Sequence, residues 1–243
     1  MKTVFDSKKT LMSLFLAASL GLALASCKKD SAASSDAVTV DDAADAITQA
    51  VVPETSGVVG QTQTAVVIIN TNNLSCGVSS DTSIAGQSLP GAAITYSYSL
   101  KWSNMLSCTN GIPQQLSFGF SGKSSYDAPR ISSSDSSNAT ATATGLQPSS
   151  SKYVFNQTYT WKGSKISKVR NKHSFSSTIT ITTSDLTVDK SSQQIVSGTA
   201  SVTISGAGSG GSAFSYSGTL TFSGNKQAVL VLGNGNTYTI LWS

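Results

Sequence analysis

Apolar and polar residues alternate along most of the chain. In Ile94, Tyr96, Tyr98, Leu100 and Trp102 every second residue is large and apolar, and Thr95, Ser97, Ser99 and Lys101 fill the gaps. A period of two places one face of a strand in a core and the other in water. The pattern recurs in Leu116, Phe118, Phe120; in Tyr153, Phe155, Tyr159, Trp161; in Phe175, Ile179, Ile181; in Val202, Ile204; in Phe214, Tyr216, Leu220, Phe222; and in Tyr238, Ile240, Trp242. Two runs, Ala65 to Ile69 and Ala228 to Leu232, are apolar throughout and are expected to be strands covered on both faces. Asn234-Gly235, a favoured type I′ pair, sits between two strand patterns and predicts a C-terminal hairpin. Ser223 to Lys226, Ser205 to Ser212 and Ser184 to Gln194 read as further hairpin loops. Consecutive hairpins make an all-β antiparallel meander of about nine or ten strands. Strands with one apolar face are expected to close as a sandwich or a partly open barrel, which hides that face from water.

Upstream the period is that of a helix. Thr39 or Asp41 is a candidate N-cap, acids follow, and Ala43, Ala44, Ile47, Ala50 and Val51 fall on one helical face until Pro53 ends the segment. A helix of about 12 residues is marginal alone, so it is expected either to dock on the β domain or to fray. Residues 28–37, rich in Ser, Ala and Asp, have too few large apolar groups to fold and read as a tether.

The first residues carry an address. Lys2, Lys8 and Lys9 precede the apolar run Leu11 to Ala25, the layout of a secretory signal peptide. That run is shorter than the ~20 residues a membrane-spanning helix needs. Leu24-Ala25-Ser26-Cys27 resembles the lipobox of bacterial lipoproteins at every position. The resemblance implies cleavage before Cys27, diacylation of its thiol and acylation of the new amine, giving a stable anchor. Lys28-Lys29 follows, with no aspartate in the second position to retain the protein in the inner membrane, which implies the outer membrane, on its periplasmic or its outer face. The expected division is a signal peptide at 1–26, a lipidated tether with a short helix at 27–60, and a β domain at 61–243.

Composition narrows the function classes. Charged residues make up 12% of the 243 residues, about half the usual share. Without Lys2, Lys8, Lys9 and Asp6 the formal charge falls from +4 to +2, too little for nucleic-acid binding by bulk electrostatics. With Cys27 acylated, Cys76 and Cys108 remain, each beside turn residues in an oxidising compartment, and they read as one disulfide. Metal ligation is the rival reading, but zinc needs about four ligands and no second cysteine pair is present.

Candidate chemistry is sparse. His173 is the only histidine, so any Ser-His-Asp or Cys-His system would be built on it, yet it sits among cations that oppose its work as a base. The bland expectation for it is an exposed residue at a strand start. Asp127, Asp135, Asp185 and Asp189 all fall in predicted turns, where aspartate serves local backbone hydrogen bonding rather than paired-acid catalysis. A calcium site on Asp185 and Asp189 lacks the dense ligand spacing of a calcium loop. No catalytic residue, cofactor or resident metal is therefore expected. Lys162, Lys165, Lys168, Arg170 and Lys172 cluster, the last three at strand spacing. They are either a stripe for an anionic glycan or the solvated tip of a hairpin that blocks edge pairing. Trp161 and Trp102 are either sugar-stacking platforms or core residues.

Further helix, strand and turn motifs extend the lipobox resemblance. The segments Val40-Asp-Asp-Ala-Ala-Asp-Ala46, Asn73-Leu-Ser-Cys76-Gly, Tyr153-Val-Phe-Asn-Gln-Thr-Tyr159, Leu186-Thr-Val-Asp-Lys190, Ile195-Val-Ser-Gly-Thr199 and Gly233-Asn-Gly-Asn-Thr-Tyr-Thr-Ile240 together resemble Ser/Thr-rich all-β lipoproteins of Bacteroidota. Such patterns imply lineage, not chemistry. Asp30-Ser31-Ala32 is similar to the O-glycosylation acceptor of that group, which makes Ser31 a candidate modified residue. The sequence thus leads to a lipid-anchored, non-enzymatic structural or interaction module of the cell envelope. Its partners would be the membrane, through the lipid, and a glycan or an envelope protein. The alternative is a surface glycan-binding accessory protein using Trp161, Lys165, Lys168, Arg170 and Lys172.

Overall fold

The computed structural model describes residues 37–71, 74–168 and 173–243. Cys27, Ser31, Arg170 and Lys172 lie outside the described residues.

Helix α1 (Val40–Val51) begins at a capping box. The Asp42 amide donates to Thr39 Oγ1 at 3.1 Å, and the Thr39 amide donates back to Asp42 Oδ2 at 3.0 Å. Asp41 and Asp42 also place negative charge at the positive end of the helix. Ala43, Ala44, Ile47, Ala50 and Val51 form its buried side, as their spacing predicted. A 3₁₀ turn, Pro53–Thr55, leads into helix α2 (Val58–Thr71). A Cβ on Gly57 would lie 2.5 Å from the Ala50 carbonyl oxygen, so only glycine lets the connection pass this close to α1.

Helix α2 corrects one expectation. Ala65 to Ile69 is helical, not a strand, and Gly60 lies inside the helix rather than at the start of the β domain. A β-branched run favours a strand locally. Here Val58, Val59, Thr62, Ala65 and Val66 share one buried side, and packing of that side overrides the local preference.

The sheet is one antiparallel meander of ten strands in sequence order. They are β1 (Ser79–Gln87), β2 (Thr95–Thr109), β3 (Ile112–Asp127), β4 (Ile131–Thr144), β5 (Lys152–Ser167), β6 (Phe175–Asp189), β7 (Ile195–Gly208), β8 (Ala213–Phe222), β9 (Gln227–Leu232) and β10 (Thr237–Leu241). Strands β1 and β4 carry mostly Ser, Thr and Ala and show no strong apolar alternation. The expected loop from Ser184 is shorter than its polar sequence suggests, because β6 continues to Asp189 after a bulge and buries Leu186 and Val188. Register places Trp102, Phe120, Ala139, Tyr159, Ile181 and Val202 side by side across six strands of the apolar face. Ser, Thr and Lys dominate the other face.

Closure differs from the expectation. The sheet does not close: β1 and β10 remain its two edges, and among the described residues no second sheet covers the apolar face. The two helices lie against that face and share one core with it. Polar clasps fix them there. Trp102 Nε1 donates to Gln61 Oε1 at 3.0 Å, Gln157 Nε2 to Thr62 Oγ1 at 2.9 Å, and the Tyr153 hydroxyl to Asn70 Oδ1 at 2.8 Å. The Tyr216 hydroxyl donates to the Val38 carbonyl and that of Tyr238 to Asp41. The buried one, Gln157 to Thr62, stabilises as well as orients the helix, because an unpaired buried group costs about 1–3 kcal/mol; the part-buried and exposed ones chiefly orient it. The N-terminal helix therefore docks instead of fraying. Cys76 and Cys108 are disulfide-bonded, tying the segment after α2 to the end of β2. Among the described residues no helix is long and apolar enough to cross a membrane, which says nothing about spanning by strands.

Candidate functional site

The helices cover the apolar face unevenly. Where β1 to β4 run past α2, Ile84, Tyr96 and Tyr98 remain on the helix side of the sheet but are exposed. Tyr96 and Tyr98 lie nearly parallel, with ring centroids 6.4 Å apart. Tyr98 lies over Gly86, where an added Cβ would come within 2.7 Å of the phenol ring. Trp161 lies over Gly163 in the same manner, its ring 2.8 Å from the position of such a Cβ. An aromatic ring laid over a strand glycine fills the missing side chain's place and keeps the ring along the sheet.

Asp135 sits at the centre of this corner. It lies in the interior of β4, opposite Ser124 of β3 and Gly163 of β5. This corrects the expectation of a turn. The segment Ser132 to Thr144 alternates small residues, and its inward positions are Ser133, Asp135, Ser137, Ala139, Ala141 and Ala143. The Ser124 hydroxyl donates to both carboxylate oxygens, at 3.0 and 2.9 Å. Burial raises the Asp135 pKa, and hydrogen bonds from Ser124, Ser133 and Trp161 offset only part of that rise. Burial, together with the Asp135 charge, also raises the Tyr126 phenol. Burial pushes the Tyr159 phenol up strongly. Among the described residues, the buried Tyr159 hydroxyl and Ser177 Oγ have no well-formed hydrogen bond. Ser177 follows Asp135 and Gly163 in the same cross-strand row. The helix side of the sheet thus offers a half-buried carboxylate and the aromatic surface of Trp161 here, while the Tyr159 hydroxyl and Ser177 beside them are closed to solvent. That combination suits a ligand with both hydroxyl groups and an apolar face.

The predicted site residues separate. Trp161 lies over Gly163 beside Asp135, and Lys165, two positions beyond Gly163 on β5, shares its face. Lys168 does not join a free cationic stripe. It lies past the end of β5, its amide donating to the Arg130 carbonyl and its ammonium paired with Asp127. Trp102 is half-buried and held by Gln61. His173 precedes β6, with Nδ1 2.8 Å from Asp42 Oδ2 at the start of α1. It is thus engaged with the helix cap and is not an exposed residue. Asp185 sits at a bulge in β6 with φ 53°, where its amide donates to Asn156 Oδ1. Asp189 accepts from the Ser191 hydroxyl and from the Ser192 amide and hydroxyl, which bring its pKa down to about 2. That pair of acids therefore serves local backbone geometry.

Compared with known proteins, the chain matches no family model, no curated protein and no solved structure.

This corner was only half legible from sequence. Trp161 stood out as an aromatic at the end of an alternation. Asp135 was read only as a turn acid, and Ser124 and Tyr126 did not stand out, because small residues hid strand β4 and with it the pairing that brings them together. The polar face of the sheet carries a separate, shallow groove of about 810 Å³, walled by Ser103, Ser117, Thr140, Thr142, Asn156 and Thr158. Hydroxyls and amides dominate it, with Asp81 its one charged group.

Proposed function

We propose that this chain is a lipid-anchored cell-envelope protein acting as a non-enzymatic interaction module. Acylated Cys27 holds it at the outer membrane, and the tether after it separates the lipid from the folded part. The observation that carries the reading is Leu24-Ala25-Ser26-Cys27 directly after a basic, then apolar, leader. Metabolic labelling with a clickable palmitate analogue tests it. The wild-type chain is expected to take up label and sediment with membranes, and Cys27→Ser to lose both. Label retained in Cys27→Ser would remove the anchor from the account.

A second reading, capture of a glycan, is favoured by the Trp161 ring beside Asp135. A pyranose ring has an apolar C–H face for Trp161, which lies over Gly163, and hydroxyls for Asp135 on the next strand. Lys165 stands beside these groups, while Lys168 is engaged by Asp127. On an array of neutral oligosaccharides, Trp161→Ala is expected to lose at least tenfold in affinity with an unchanged melting temperature. A fall in melting temperature with affinity retained would make Trp161 a core residue and end this reading.

A further inference from the structure

One of the two open edges of the sheet carries an inference independent of the lipid and of the Asp135 corner. We propose that strand β1 is a self-association edge, and that two copies of this chain pair β1 to β1 antiparallel about a twofold axis at Ser83.

Strand β1 is nine residues long and pairs on one side only, with β2. All of its residues except Gly86 are exposed. An unpaired strand edge presents a row of amide and carbonyl groups that templates another strand, and proteins usually blunt such edges with lysine, proline, a bulge or a covering element. None of these is present in β1. Its sequence, Ser79-Ser-Asp-Thr-Ser-Ile-Ala-Gly-Gln87, has no lysine and no proline, its register with β2 runs without a shift, and no described element lies over it. Its one charge, Asp81, is already partnered within the chain by Lys101 at 3.6 Å.

A second observation points to the same edge. Val78, Ile84 and Leu89 are exposed large apolar residues, at 59, 48 and 81%, and all three lie on β1 or within two residues of its ends. Their order is self-complementary. With Ser83 opposite Ser83 of the second copy, Ile84 faces Thr82, and Val78 of each copy comes beside Ser88 and Leu89 of the other. Asp81 falls opposite Ala85, so the two Asp81 charges stand about 13 Å apart along the strands and do not oppose each other. Such pairing is isologous and closes at two copies, because it consumes the one edge it uses. It would join two ten-stranded sheets and cover apolar side chains that are bare in the single chain. A strand from an unrelated protein could satisfy the same backbone groups, but nothing would then require the matched positions of Val78 and Leu89.

Cross-linking of the full chain in native membranes, followed by sedimentation after detergent extraction, tests this. Ser83→Cys is expected to give a covalent dimer under mild oxidant, while Ser121→Cys, also exposed and on the same face in β3, stays monomeric. The extracted wild-type chain is expected at twice its single-chain mass. Ser83→Pro should return it to one chain, and Ile84→Lys should do the same without altering the backbone. A single-chain mass for the wild type overturns the proposal. So does cross-linking at Ser121 in place of Ser83, or an adduct at Ser83 with a different protein.

Discussion

Ile181 and Tyr98 project from the same face of the same sheet, yet Ile181 is sealed and Tyr98 is 37% exposed. Ile181 lies in the part of the sheet whose apolar face carries the helices. Tyr98 lies toward the β1 edge, where α2 no longer covers the strands. Alternation in a sequence establishes that a strand has an apolar face, but it does not say what lies on that face. Here one part of the face is a core in the ordinary sense, and the other is a ledge of aromatic rings around Asp135.

Unequal penalties are expected in the two regions. Ile181→Ala should cost about 2–5 kcal/mol in chemical denaturation, because it removes buried methylenes and leaves a cavity. Tyr98→Ala should cost less than about 1 kcal/mol, as expected for a half-exposed side chain away from the packed core. Equal penalties would mean that the ledge is as well packed as the core. Next in size is the Cys76–Cys108 bridge, which joins residues 32 apart in sequence. The chain-entropy relation gives roughly 3–4 kcal/mol for a loop of that length. The double replacement by serine should lower the denaturation midpoint accordingly, and a change below about 1 kcal/mol would show that the segment after α2 is held by packing alone.

Much of this architecture was legible. Thr39, the acids after it and the spacing of Ala43, Ile47 and Ala50 predicted α1 closely, because capping and amphipathic spacing act locally. The hairpins at Ser223 to Lys226 and Asn234-Gly235 followed from turn residues, which act locally, although Asn234 is not left-handed and the second turn is therefore not the type I′ expected. The second helix was not legible in Ala65 to Ile69. What decides its state is contact with partners far along the chain: Thr62 with Gln157, Gln61 with Trp102, and Asn70 with Tyr153. The expected closure failed for the same reason. Once α2 is read as a strand, the apolar face lacks its cover and must find a second sheet. Asp135 was misplaced because β4 buries alanines and serines, whose apolar contrast with threonine is weak.

The smallest predicted effects concern protonation, and they have opposite signs in the two regions. At Asp42, burial favours the neutral acid, but hydrogen bonds from the Thr39 side chain and amide, together with His173, outweigh it and hold the pKa below the ordinary 3.8. A carboxyl depressed by folding contributes stability above its ordinary pKa, and that contribution is lost as pH falls from 3.8 through the lower folded value. At Asp135, burial outweighs Ser124, Ser133 and Trp161, and the pKa stands above 3.8. A carboxyl raised by folding favours the folded state below its ordinary pKa, and that contribution is lost as pH rises from 3.8 through the higher folded value. Denaturation midpoints taken from neutral pH to below 3.8 should therefore respond oppositely. Asp42→Asn should lower stability most at neutral pH and flatten the acid-side loss. Asp135→Asn should be neutral or mildly stabilising near neutral pH, and should remove a gain that the wild type shows on acidification. The same sign in both variants would contradict the contrast between the capped helix and the open ledge.

Hydrogen–deuterium exchange of the intact chain tests most directly whether α1 and α2 are the structural cover of the apolar face. Amides of α1, α2 and the interiors of β5 to β7 are expected to exchange together in the slowest class, while β1 and the first residues of β2 exchange much faster. If the helices exchanged orders of magnitude faster than β5 to β7 while those strands stayed protected, the sheet would be stable without them. The core described here would then be wrong.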